Sequence, residues 1–216
     1  MRRLPHRRAD PKLTHMTDAT SPTALRLASL RAELERRGLD GFVVPRADQH
    51  QGEYVAAEAQ RLAWLTGFTG SAGAAVVLKT RAALFTDGRY TLQARREVAP
   101  ELFEHCHSGE HPPARWVGEA LPAGAKLGYD PWLHLADQVA ALAAACERAG
   151  GALVAVEGNP LDAVWTDRPG PSLAPFTVQP VQFSGRAAAD KRADMANGLV
   201  ADRCEAAVLA DPASVA

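Results

Sequence analysis

The chain has 216 residues, room for one full domain and part of a second. Its composition, 47% hydrophobic and 23% charged, is that of a folded chain and excludes wholesale disorder. A formal net charge of −1 gives no electrostatic case for nucleic acid or a membrane surface, and no apolar run approaches the about 20 residues a spanning helix needs.

Within residues 1–20, residues 1–15 carry Arg2, Arg3, Arg7, Arg8 and Lys12 against a single acid, Asp10. No apolar stretch follows, so the pattern is not that of a secretory signal. It predicts a disordered N-terminal extension, or a start misplaced ahead of Met16, with a basic targeting peptide as the alternative. Cys106, Cys146 and Cys204 form no CxxC pair and are odd in number, which suits free thiols in a reducing cytosol.

From residue 21 the chain reads as alternating helices and strands. Ser21-Pro22 opens a helix in which Leu27, Leu30 and Leu34 share a face and Glu33 can meet Arg36 or Arg37. Gly38 ends it, because glycine enters the left-handed conformation cheaply. Gly41–Pro45 is a buried strand, Ala59–Leu65 a short helix, and Gly73–Leu78 and Ala82–Phe85 two strands joined by Lys79-Thr80-Arg81. Helical pattern returns after Tyr90 and at Arg115–Ala120. Lys126–Gly128 is a strand, His134–Ala149 an alanine-rich helix and Ala152–Val156 a further strand. Such interleaving predicts an α/β domain over 21–165, its sheet covered on both faces. Residues 166–185 are proline-rich and predict an extended linker. In 186–216 a helix over Ala187–Leu199 and a strand over Glu205–Leu209, ending at Asp211-Pro212, repeat the opening order and predict the truncated start of a second, similar domain.

Four segments hold residues suited to chemistry. The loop after the first strand gathers Asp48, His50, Glu53 and Tyr54, a set able to supply acid/base groups or metal ligands. The blander reading is a structural loop whose carboxylates order backbone N–H groups. Thr66–Gly73 carries three glycines among small hydroxyl residues; without the P-loop lysine or GxGxxG spacing it predicts a tight, closely packed turn, not a nucleotide site. Asp87-Gly88-Arg89-Tyr90 sits where a strand gives way to a helix. There Asp87 can cap the helix and Arg89 can project at the mouth of the sheet, a cation suited to a carboxylate or a peptide carbonyl, or simply solvated. Glu104-His105-Cys106-His107, with Glu110 and His111, is metal-like in composition, but its Ser-Gly and Pro-Pro surroundings predict a surface loop. No GxSxG, HExxH, paired CxxC or basic–aromatic interleave occurs.

Five stretches in order, VVPRADQHQGEY, RLAWLTGFTGSAGAAVVL, ALFTDGRYTLQA, GYDPWL and NPLDAVWTDRP, resemble the N-terminal region of the Xaa-Pro aminopeptidase (aminopeptidase P) family. The resemblance covers roughly 24–216 and is to its long, three-domain cytosolic branch, related to creatinase and prolidase. It implies a creatinase-like N-terminal domain with a mixed sheet and helices on both faces, followed by a similar α/β domain. A catalytic domain with two divalent metal ions, usually manganese, comes last in that family, and a metal-bridging water removes the residue preceding proline. The resemblance further implies a cytoplasmic homodimer acting on peptides with proline at the second position. It assigns Arg89 to substrate binding, leaves Asp48, His50, Glu53, Tyr54 and Asp87 as candidates for a supporting loop without a catalytic role, and places every metal ligand outside this chain. The implied function is that of a non-catalytic N-terminal fragment of the peptidase; the alternative is a standalone peptide-binding or dimerisation module without hydrolase activity.

Overall fold

The computed structural model describes residues 21–210; the expectations for residues 1–20 and for Asp211-Pro212 onward lie outside the described residues. Helix α1 (Pro22–Arg36) starts as its sequence dictates, with Ser21 Oγ accepting the Ala24 N–H at 3.2 Å and proline in the first turn. It buries Leu27, Leu30 and Leu34. Gly38, at φ 68°, then reverses the chain, so that Gly38 N–H reaches the Glu35 carbonyl and Leu39 N–H the Leu34 carbonyl. Two terminal carbonyls are thereby satisfied, and the chain is aimed into the sheet.

Strand β1 (Gly41–Pro45) follows, then a 3₁₀ turn at Ala57–Ala59 and helix α2 (Arg61–Thr66). Next come β2 (Ala74–Leu78), β3 (Ala82–Thr86), α3 (Thr91–Glu97), β4 (Glu104–His107), α4 (Pro113–Ala120) and β5 (Lys126–Tyr129). A second 3₁₀ turn at Pro131–Leu133 precedes α5 (Ala136–Arg148), β6 (Ala152–Ala155) and α6 (Pro160–Val164). The six strands form one sheet in the order β4-β3-β2-β1-β5-β6. Only β2 runs against its neighbours, pairing antiparallel with β1 (Val43↔Val76) and β3 (Val76↔Ala83). The pairs β1–β5, β3–β4 and β5–β6 are parallel. The sheet is therefore mixed, and five of its strands point their C-terminal ends toward the same edge.

Strand alternation sends side chains to two separate cores. Phe42, Val44, Val77 and Leu84 pack under α1, α2, α3 and α6, against Leu30, Leu65, Ala94 and Leu161. Val43, Val76, Phe85 and Leu127 pack on the other face under Trp116 and Val117 of α4 and Leu142, Ala145 and Cys146 of α5. Helices cover both faces, as the interleaved pattern requires.

Three local expectations are corrected. The Glu104–His107 stretch is not a surface loop but edge strand β4, paired with β3 from Ala83↔Glu104 to Thr86↔His107. As an edge strand it tolerates polar residues, which is why its composition concealed it. The linker holds one helical turn, α7 (Val181–Ser184). The helix after it forms as α8 (Ala188–Ala201), but Glu205–Leu209 adopts no strand, and Val208 is 94% exposed. A strand needs a partner for its N–H and C=O groups, and Glu205–Leu209 pairs with none of the described strands. Beyond Trp165 no described residue is buried.

Candidate functional site

The carboxyl edge of the sheet carries the loops after β1, β3, β4 and β5, the position at which open α/β sheets place ligands. In the loop after β1, buried Asp48 accepts backbone N–H groups of His50 at 2.9 Å and Gly52 at 3.3 Å, while its carbonyl accepts Gln51 N–H. This carboxylate folds its own loop, in keeping with the structural reading. His50, Glu53 and Tyr54 are exposed. The Glu53 carbonyl takes a hydrogen bond from Arg46 Nη1, and the Glu53 carboxylate acts through space on Arg89. Among the described contacts nothing joins His50 or Tyr54 to Arg89.

The turn after β3 is built differently from the expectation. Asp87 does not cap α3, whose N-cap is Tyr90 with no side-chain bond. The Asp-Gly-Arg-Tyr turn sets Asp87 too far before the helix, so its Oδ1 accepts Arg89 N–H at 2.9 Å instead. The same carboxylate takes Arg89 Nε–H, at 3.1 and 3.2 Å to its two oxygens, and Nη2–H at 2.8 Å. These bonds, the Arg89 side chain first and its backbone N–H second, hold the Asp87 carboxyl below the usual carboxylate range. The Arg89 side chain is nonetheless 65% exposed. Its Cζ lies 5.2 Å from the centre of the Tyr90 ring, a cation–π support from one side.

Tyr90 is itself fixed. Its hydroxyl meets Ser71 Oγ at 2.6 Å, a bond that pushes the phenol below its ordinary range, and its ring meets Phe68 edge-on. The glycine-rich loop is a packing device here: a Cβ at Gly70 would come within 2.3 Å of the Phe68 ring and 2.8 Å of Tyr90. Glu97 anchors the same loop, accepting Thr69 N–H and Oγ1–H. The Ser71–Tyr90 and Thr69–Glu97 pairs were not singled out from sequence; the glycine spacing is the one signal that pointed to close approach.

Two divalent metal ions, which the resemblance implies for the wider family, do not fit the residues present. His105 and His107 do alternate on β4, but His105 Nε2 lies 3.1 Å from the Val98 carbonyl and His107 Nδ1 accepts Gly109 N–H. Glu104 faces the other way, paired with Arg81 and accepting Trp116 Nε1–H. Among the described residues no group of three or more His, Cys, Asp or Glu side chains could hold a metal ion. Nor is any helix among them long and apolar enough to cross a membrane.

A feature that sequence gave no sign of lies between β1, α4 and α5. It is a largely apolar cavity of about 240 Å³, lined by Val43, Pro45, Pro113, Ala141 and Leu142, with His134 at its wall. His134 Nδ1 meets the Asp130 carbonyl at 2.9 Å, and its Nε2 is buried without a described partner. Because a carbonyl only accepts, Nδ1 carries the proton. Burial pushes the imidazole below its usual range.

Comparison with known proteins agrees with this fold. The chain is 38% identical over 183 residues to "Probable Xaa-Pro aminopeptidase P" of Paracoccidioides brasiliensis (strain Pb18), covering 83% of this chain and 30% of that protein. It is 39% identical over 166 residues to "Aminopeptidase P1" of Lotus japonicus, covering 76% of this chain and 25% of that protein. The chain thus spans about a third or less of the length of these curated relatives. Among solved structures, it superposes with a TM-score of 0.72 and 28% identity on X-prolyl aminopeptidase from Caenorhabditis elegans, described as a cytosolic enzyme with a di-nuclear active site. That match covers 86% of this chain and 32% of the other. The N-terminal domain of the cytoplasmic peptidase PepQ from Mycobacterium tuberculosis H37Rv aligns over 98% of its own length and 65% of this chain, with a TM-score of 0.51 and 29% identity. Residues 26–164 match the creatinase/prolidase N-terminal domain, and the chain belongs to that family.

Proposed function

We propose that this chain supplies the non-catalytic N-terminal domain of a metal-dependent Xaa-Pro aminopeptidase and that Arg89 helps to hold the peptide. The observation that carries the reading is the Arg89 guanidinium, exposed at the carboxyl edge of the sheet, clamped on one side by Asp87 and with no described hydrogen bond to Nη1. A planar fork fixed in this way donates parallel hydrogen bonds to peptide oxygens but performs no bond cleavage. Asp48 and Asp87 are supporting residues that shape the two loops. His50, Glu53 and Tyr54 flank them. The reaction's two metal ions, which no group of described side chains fits, belong to a different domain.

In this reading residues 21–165 form the domain proper, 166–185 a linker and 186–216 the start of a second α/β unit. The confinement of both apolar cores to residues 27–161 supports that division. Leu173, Phe176, Phe183 and Val200 are all exposed, which favours their being covered by a further domain or by a second copy of the chain in a cytoplasmic homodimer.

Incubation of the purified chain with Xaa-Pro peptides and manganese tests the non-catalytic role. No release of the N-terminal residue is expected. Metal-dependent release that copurifies with the chain would overturn it.

A further inference from the structure

We propose that Asp87 is the positioning and selectivity residue of the Arg89 site, making it prefer a neutral backbone carbonyl over a carboxylate. The inference rests on the reading of Arg89 as a peptide-holding residue and adds to it the chemistry of the group held.

An arginine presents five N–H donors in a planar fork. Asp87 consumes the Nε–H and one Nη2–H, so the fork can meet a ligand only with its outer end, Nη1 and the second Nη2 hydrogen. Because Asp87 Oδ1 also binds the Arg89 backbone N–H, the carboxylate is fixed to the turn and the guanidinium is fixed to the carboxylate. The Tyr90 ring, tethered through Ser71, supports one face of the guanidinium.

The same arrangement sets the charge. Arg89 is matched by Asp87, and Glu53, in the loop after β1, adds a second carboxylate whose field reaches it. Arg46, the cation of that loop, donates Nη1–H to the Glu53 carbonyl and keeps its charge, which offsets that of Glu53. An incoming carboxylate therefore meets a guanidinium already neutralised by Asp87. A carbonyl oxygen needs only the outward N–H groups and carries no charge to be repelled. A bare arginine would favour the anion, since charge-assisted hydrogen bonds are the stronger kind. Asp87 removes that advantage.

The probes are N-acetylprolinamide and N-acetylproline, equal in size and differing in one charge at pH 7. Each is titrated into the full chain at fixed salt, and binding is read from the Arg89 side-chain Nε–H resonance and the Gly88 and Tyr90 amides. In the unsubstituted chain the amide should bind at least as tightly as the acid. Asp87→Asn should move the acid-to-amide affinity ratio toward the acid by at least about threefold, the weakest effect of removing a nearby unit charge in a high-dielectric setting. Asp87→Glu, which restores the charge, should move it back. A loss of fold in Asp87→Asn would weaken both probes together, whereas selectivity moves their ratio. If the unsubstituted chain favours the acid, or the ratio is the same in Asp87→Asn, the role given to Asp87 is wrong while Arg89 remains a binding residue. If neither probe shifts the Arg89 resonance in any variant up to its solubility, the Arg89 reading itself fails and this inference falls with it.

Discussion

Removing the Asp162 carboxylate should destabilise the folded domain. Asp162, on α6, accepts Arg61 Nε–H at 2.7 Å and Nη2–H at 2.8 Å, and its second oxygen also lies 2.8 Å from Arg168 Nη1. The Arg61 side chain is only 9% exposed, against 26% for Asp162. Removing one member of a fully buried pair costs about 3–5 kcal/mol, because a charge is left without a partner. Water reaches Asp162, so the expected cost of Asp162→Ala is nearer to about 2–3 kcal/mol. For a domain of this size that corresponds to a melting temperature about 10 °C lower. Arg61→Met in the same background should recover part of the loss, since it removes the stranded cation and keeps the side-chain volume. Thermal unfolding of the two single variants and the double variant measures the coupling directly. A drop of less than about 2 °C for Asp162→Ala, or simple additivity in the double variant, would show that the pair is solvated and that α6 is held by Leu161 and Trp165 alone.

Limited proteolysis should cut first between residues 169 and 185, just past the last anchor, where Arg168 donates to the Glu58 carbonyl, and should leave a resistant fragment ending near Arg168; simultaneous loss of both halves would refute the division. His134 contributes to pH dependence with a definite sign. Its folded pKa lies below the ordinary value of about 6.5, so the unfolded chain binds more protons between the two values, and stability present above about pH 6.5 is lost as the pH falls through that window. His134→Gln should flatten the melting temperature against pH there, and an unchanged slope would place the effect elsewhere. Thiol labelling at pH 8 should modify exposed Cys204 first and Cys146 last, because burial removes Cys146 from solvent and pushes its thiol up to about 11; early labelling of Cys146 would mean that α5 opens readily.

What could be read from sequence follows from the range of the interaction concerned. Helix α1 was legible from end to end, because Ser21, Pro22, the leucine spacing and Gly38 act within a few residues of one another. The β2–β3 hairpin was legible for the same reason. Strand β4 was not, since its pairing with β3 is set by the sheet, and Glu104, His105 and His107 have the polarity of an edge. The error at Glu205–Leu209 is the converse: an apolar run forms a strand only beside a partner. Asp162 and Arg61 lie 101 residues apart, and no local pattern announces such a pair. At the candidate site, Arg89 was placed at the mouth of the sheet, but Asp87 was assigned to the helix when it belongs to the arginine. Arg89 lies two residues from Asp87 and Thr91, the first helical residue, lies four, and only the turn geometry decides between them.

The most direct test of the account lies in a full-length relative that carries the same Asp-Gly-Arg-Tyr motif. There the arginine matching Arg89 is changed to lysine, and kcat/KM on an Xaa-Pro peptide is measured together with bound metal and melting temperature. Lysine keeps the charge but loses the planar fork, so kcat/KM should fall roughly ten- to a hundredfold while metal content and stability stay level. Unchanged kcat/KM, or a loss that follows the loss of metal or of fold, would contradict the role given to Arg89.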